Sequence, residues 1–181
     1  MSNARSKSYD LIGSVVAGKI IEAAETEDVL GCVLRMHLVS EYFLASFIDC
    51  SASKDMKSFL GSSKYFSDKL RIAVALGLPI PFANVLRQIN KMRNQLAHEE
   101  LTGTVSEVDV QTLGRLTEAL VSVDPNFRSL GSRFLEVPVA RPGVRMTFGQ
   151  GDKRVDFLIS TTAFFACATQ WLHAKADGAF V

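Results

Sequence analysis

Between Val29 and Asp49 the chain carries apolar side chains on nearly every side of a helix, and this segment constrains the fold more than any other. Val29, Val33, Met36, Phe43 and Phe47 recur on one side at helical spacing, and Leu30, Leu34, Leu44 and Ile48 on another. A helix that is apolar all round must be surrounded by other elements, so this one is expected at the centre of the molecule. With 181 residues, 48% of them hydrophobic, the chain is long enough to enclose it in one well-buried core.

The flanking segments supply the neighbours. From Tyr9 to Ala24, Leu11, Ile12, Val15, Val16, Ile20 and Ile21 follow helical spacing and end in an acidic link, Glu25 to Asp28. SASKD and GSS mark a loop, with Phe59 and Leu60 as its expected anchors. A third helix is predicted from about Lys64 to Leu76, stopped by Gly77 and Pro79 in GLPIP. Pro81 is suited to the first position of a fourth helix, which carries Phe82, Val85, Leu86, Ile89, Met92 and Leu96 and ends near His98 to Leu101. Ser106 is a candidate N-cap for a fifth helix, with Val108, Leu113, Leu116, Leu120 and Val123 on its inner face.

From Phe127 to Ile159 the pattern changes. Val144, Met146 and Phe148 alternate with Arg145 and Thr147, GQGD follows, and Val155, Phe157 and Ile159 alternate again, which predicts a β-hairpin. Thr161 to Lys175 reads as a closing helix. The expectation is a single, mainly α domain: a helical core over about 9–125, a small β-hairpin region over about 127–159, and a C-terminal helix over about 161–175.

A net charge of +1 exerts no global pull on nucleic acid or anionic membrane, so a basic binding surface must be local. One local excess lies between Arg128 and Asp156, where six cations face three anions; it fits phosphate attraction or a solvated hairpin. No uninterrupted apolar run approaches the roughly 20 residues of a membrane span, and MSNARSKSYD has no apolar stretch like that of a signal peptide. A cytoplasmic protein without membrane partners is expected. Cys32, Cys50 and Cys167 are far apart and lack the paired spacing of zinc or redox motifs, and the three histidines are isolated in sequence, so neither cofactor nor metal is expected.

Two sets of residues carry possible chemistry. On the second helix His37 and Glu41 interrupt an apolar stripe, and a carboxylate there needs a cation or several donors, with Arg93 and His37 as candidates. Such a pair either sets helix register or orients a catalytic group. In KMRNQLAHEE, Arg93, Asn94 and His98 gather at the end of the fourth helix. Asn94 and His98 are one turn apart, whereas Arg93 and His98 are about 140° apart around the axis, so joint action needs a distorted helix or a second subunit. Arginine and histidine suffice for RNA cleavage without metal: imidazole moves the proton and guanidinium holds the phosphate. The same residues also suit an ordinary helix end, where histidine complements the dipole.

RNQLAH, preceded in order by RMHLVSEYFLASFI and YFSDKLRIAVALGLP, resembles the arginine, asparagine and histidine pattern of the HEPN superfamily, in the branch of mannitol operon repressor-like bacterial proteins. The resemblance covers about residues 25 to 125 and implies an antiparallel helical bundle, usually a homodimer. It implies endoribonuclease activity in toxin, defence or RNA-processing roles, with Arg93 and His98 catalytic and Asn94 supporting. It equally implies non-catalytic members: regulators with a DNA or protein partner, or partners of a nucleotidyltransferase.

Overall fold

The computed structural model describes residues 2–26, 28–60, 63–98, 105–137 and 141–176. Among these residues lie seven helices: α1 (Ser2–Ala24), α2 (Val29–Ser51), α3 (Lys54–Leu60), α4 (Phe66–Ala75), α5 (Ile80–His98), α6 (Glu107–Glu118) and α7 (Lys153–Ala176). A two-stranded antiparallel hairpin, β1 (Phe134–Val137) and β2 (Arg141–Thr147), precedes α7. The chain is therefore mainly helical with a small hairpin before its last helix, as the periodicity implied.

The acidic link begins α2 directly. Asp28 is its N-cap, and its carboxylate accepts the Leu30 N–H at 3.1 Å and the Gly31 N–H at 2.7 Å, satisfying two amides the helix cannot bond itself. α2 packs on α1, α4, α5 and α7. Val33, Met36, Phe43, Leu44 and Phe47 are fully buried, but Leu38 is 61% exposed and Leu34 also reaches solvent. The helix is central on one side only; on its other side Leu34 and Leu38 reach solvent, while Asp49 pairs with Lys57 of α3 at 2.5 Å.

α4 stops in a left-handed cap. Gly77 has φ +94°, a conformation open to glycine without steric cost, and the Leu78 N–H reaches back to Ala73 O at 2.9 Å. The chain turns at once into α5, whose Phe82, Val85, Leu86, Ile89, Met92 and Leu96 are all buried, as their spacing required. The expected inner face of the next segment holds except at Val108: Leu113 on α6 and Leu120 in the turn after it are fully buried and Leu116 and Val123 pack on the core, whereas Val108 is 69% exposed and Val110 is buried instead. Ser106 does occupy the N-cap position, without a side-chain bond.

The hairpin is placed differently from the sequence pattern. Its strands pair Leu135 with Met146 and Glu136 with Arg145, while Val155, Phe157 and Ile159 belong to the first turns of α7, eight residues earlier than the expected start at 161. Asp152, the last residue of GQGD, accepts the Arg154 N–H at 2.9 Å and the Val155 N–H at 3.2 Å and so starts that helix. Residues 154–161 are all buried, Arg154 and Asp156 included, so the polar positions mark no solvent face and the alternation of Val155, Phe157 and Ile159 does not separate strand from helix. The expected anchor Phe59 is also corrected: α3 buries no residue and Phe59 is 91% exposed.

The core is built from edge-to-face aromatic contacts among Phe43, Phe82, Phe164, Phe165 and Trp171. The hairpin closes over a second, smaller cluster of Leu130, Met146, Val155, Ile159 and Ala163. Gly114 permits this, because a β-carbon there would meet the Phe148 ring at 3.0 Å. Buried Arg154 joins the two ends of the chain by donating to Ala24 O at 3.2 Å and Thr26 O at 2.8 Å. By length and average composition both α2 and α7 reach the range of membrane-crossing helices, although neither has an uninterrupted apolar run. In this fold 44% and 72% of their most apolar stretches are buried against other helices, the setting of core helices.

Candidate functional site

The sequence-predicted residues meet, in part, where α2, α4 and α5 converge. His37 is buried on α2, and its Nε2–H donates to Asn90 Oδ1 on α5 at 3.0 Å, which assigns the ring proton to Nε2. Its ring lies 5.0 Å from that of Phe66 at the start of α4. Burial pushes the His37 pKa below the usual imidazole range; the Asn90 bond and the Glu41 charge oppose this, while Arg93 and Lys69 add to it. At neutral pH His37 is an uncharged donor that fixes α2 against α5.

Glu41 meets neither expected candidate in a direct bond. Its Oε2 pairs with Lys69 Nζ on α4 at 3.3 Å, so the cation comes from a helix that sequence reasoning had not searched. The physical expectation, a half-buried carboxylate with a cation, holds with a different partner.

Arg93 is half-buried on α5, and its Nη1 donates to Asn94 Oδ1 at 3.1 Å. Asn94 is exposed. The sequence neighbours thus form one unit, in which the amide steadies the guanidinium. His98 is the last residue of α5, and its side chain lies outside the described residues. Because α5 runs unbroken through His98, the Arg93 and His98 positions stay about 140° apart. The distorted-helix route to a shared site is removed, leaving the second subunit.

An open groove of about 610 Å³ runs between α4 and α5. Phe66, Leu70 and Ala83 contribute apolar walls, Arg71 and Arg87 contribute cations, and Asn90 lies at the end nearest Arg93 and Asn94, which follow it by three and four residues. Arg71 also pairs with Asp68. Sequence reasoning missed Asn90, Lys69, Arg71 and Arg87. The available signal was the polar run Asn84, Arg87, Asn90 and Asn94, whose steps of three, three and four trace one side of α5.

A second polar cluster holds α5 to α6. Asp109 accepts Lys91 Nζ at 2.7 Å and Gln88 Nε2 at 3.0 Å. Burial alone would raise its carboxyl, but the bonds from Lys91, Gln88 and Gln95 outweigh it and hold the pKa below the usual range. The cysteine thiols are unsuited to nucleophilic work: burial pushes Cys167 up to about 11 and raises Cys32 as well. Among the described residues no three His, Cys, Asp or Glu side chains gather as a metal-ligand set.

Comparison of the chain with protein-family models, curated proteins and solved structures found no match in any of the three. What the chain can do is therefore argued from its own side chains.

Proposed function

We propose that the chain is a HEPN-type, metal-independent endoribonuclease of a toxin, defence or RNA-processing kind that acts as a homodimer. The observation that carries this reading is the Arg93–Asn94 unit, which follows Asn90 on α5 by one turn, where Asn90 lines a groove bordered by Arg71 and Arg87. Guanidinium groups along one channel suit successive phosphates of a single strand, and a steadied arginine suits the phosphate that reacts. In this mechanism the ribose 2′-oxygen attacks the adjacent phosphorus and the bond to the 5′-oxygen breaks, leaving a 2′,3′-cyclic phosphate and a 5′-hydroxyl. His98 moves the proton and Arg93 stabilises the charge on the phosphoryl oxygens.

Dimerisation would supply the geometry that one helix lacks. The exposed face of α2 carries Leu34, Leu38 and Ala45, with Arg35, bonded to Thr26, towards one end and Asp49, paired with Lys57, towards the other. In an antiparallel pairing Leu38 would meet the small Ala45 of the second copy, so the apolar part of the face is complementary to itself. The test is degradation of varied RNAs in chelator by the purified protein. Arg93→Ala and His98→Ala should each reduce the rate by at least about 100-fold with unchanged melting temperature, in line with the loss of a general acid–base or an oxyanion donor. Intact RNA with the wild-type protein would sink the enzyme reading.

The apolar walls of the same groove favour a second reading, a non-catalytic regulator resembling the mannitol operon repressor branch, with a partner helix in the groove. It expects a protein or DNA partner whose binding is lost on Leu70→Asp, while Arg93→Ala leaves it intact.

A further inference from the structure

Arg128, Ser132 and Arg133 line a second open pocket, of about 250 Å³, between the segment leading into β1 and the middle of α7. Its other walls are Phe134, Leu135, Ile159, Thr162 and Ala163. The pocket is thus basic at one side and apolar across its floor. The surplus of cations in the sequence between Arg128 and Asp156 has a local concentration here.

Three observations point to an anion. First, among the described residues neither Arg128 nor Arg133 has a carboxylate partner, whereas neighbouring Arg145 is paired with Glu136 at 3.0 Å. The acidic side chains close by are engaged with the backbone: Glu118 accepts the Leu130 N–H at 2.7 Å and Asp124 the Asn126 N–H at 2.9 Å. Second, Arg133 is held in place. Its Nε–H donates to Arg128 O at 3.1 Å and its guanidinium lies 4.9 Å from the centre of the Phe127 ring, so little side-chain freedom remains to be lost on binding. Third, the Thr162 hydroxyl is buried and has no hydrogen-bond partner among the described residues. Threonine in a helix ordinarily turns its hydroxyl back to a carbonyl one turn earlier, as Thr161 does to Phe157 O at 2.9 Å. Thr162 instead lines the pocket that the arginines border.

We infer that this pocket binds a small molecule with an oxyanion head, carboxylate or phosphate, and a short apolar tail. The head is held by Arg128, Arg133 and the Thr162 hydroxyl, and the tail lies on Leu135, Ile159 and Ala163. The site is separate from the α4–α5 groove and does not depend on ribonuclease activity.

Calorimetric titration of the full chain with hexanoate, n-butyl phosphate and inorganic phosphate tests it, with the Arg133 Nε–H followed by nitrogen-edited NMR. One tailed anion should bind saturably at one site, roughly tenfold tighter than inorganic phosphate, and shift the Arg133 resonance. Preference for hexanoate assigns a carboxylate head, and preference for butyl phosphate a phosphate head. Arg128→Ala and the near-isosteric Thr162→Val should each weaken binding by about five- to tenfold with unchanged melting temperature. Saturation by none of the three probes at about 10 mM, or equal binding by wild type and both variants, would overturn the inference.

Discussion

His37 shows how one buried side chain ties stability to pH. Its folded pKa is lowered from 6.5, chiefly by burial, so the unfolded chain binds the proton more readily. Above pH 6.5 both states are neutral there and no stability is lost; as pH falls below 6.5 towards the folded pKa, stability declines. Urea unfolding at pH 7.5 and 5.5 should show this loss, and His37→Gln, which keeps a donor for Asn90, should remove part of it. Asp156, whose carboxyl is raised by burial, acts in the opposite direction at lower pH, so the comparison between wild type and variant carries the test. Arg93 offers a second distinction at this scale. Arg93→Lys retains the charge but not the fork that holds Asn94, so it should lose most ribonuclease activity while unfolding at the same urea concentration. The Arg93–Asn94 unit was legible in KMRNQLAHEE because sequence neighbours are close in any conformation. The Lys69 partner of Glu41 was not, since 28 residues separate them and only packing of α4 on α2 brings them together.

Among the elements, α2 and α7 begin by the same device, an aspartate that accepts the first amides. Asp28→Ala should cost about 1 kcal/mol in chemical unfolding, the usual effect of losing an N-cap. Replacing Gly77, at φ +94°, with alanine should cost roughly 1–2 kcal/mol by forcing a β-carbon into the left-handed region. The positions of α4 and α5 and the end of α1 followed from apolar periodicity because each keeps a polar side, whereas α1 begins at Ser2, seven residues before the apolar pattern starts at Tyr9. The start of α7 did not, because its first two turns are buried, Arg154 and Asp156 included, and apolar residues alternating with polar ones look like a strand when the polar ones mark no solvent face. Asp152 after the GQG turn was the available sign, as an N-cap rather than the end of a hairpin loop.

For the whole molecule, the decisive surface is the open face of α2. Leu38→Glu should leave the monomer folded, since Leu38 is 61% exposed, but should shift a dimer to monomer in sedimentation and reduce RNA cleavage with it. A dimer unaffected by Leu38→Glu would move the interface elsewhere. Phe82→Ala, by contrast, removes a ring packed against Phe164 and Trp171 and should cost about 3–5 kcal/mol. The sequence alone determined the helical class, the helix faces that form the core, the single hairpin before the last helix and the adjacency of Arg93 and Asn94. These are local consequences of residue spacing. Only the tertiary structure decided which side of α2 stays open, which lysine meets Glu41, that burial keeps His37 neutral while it bonds Asn90, and that Arg128 and Arg133 share a pocket with Thr162. Each of those depends on how helices distant in sequence pack, and packing is set by the summed fit of many side chains rather than by any local period.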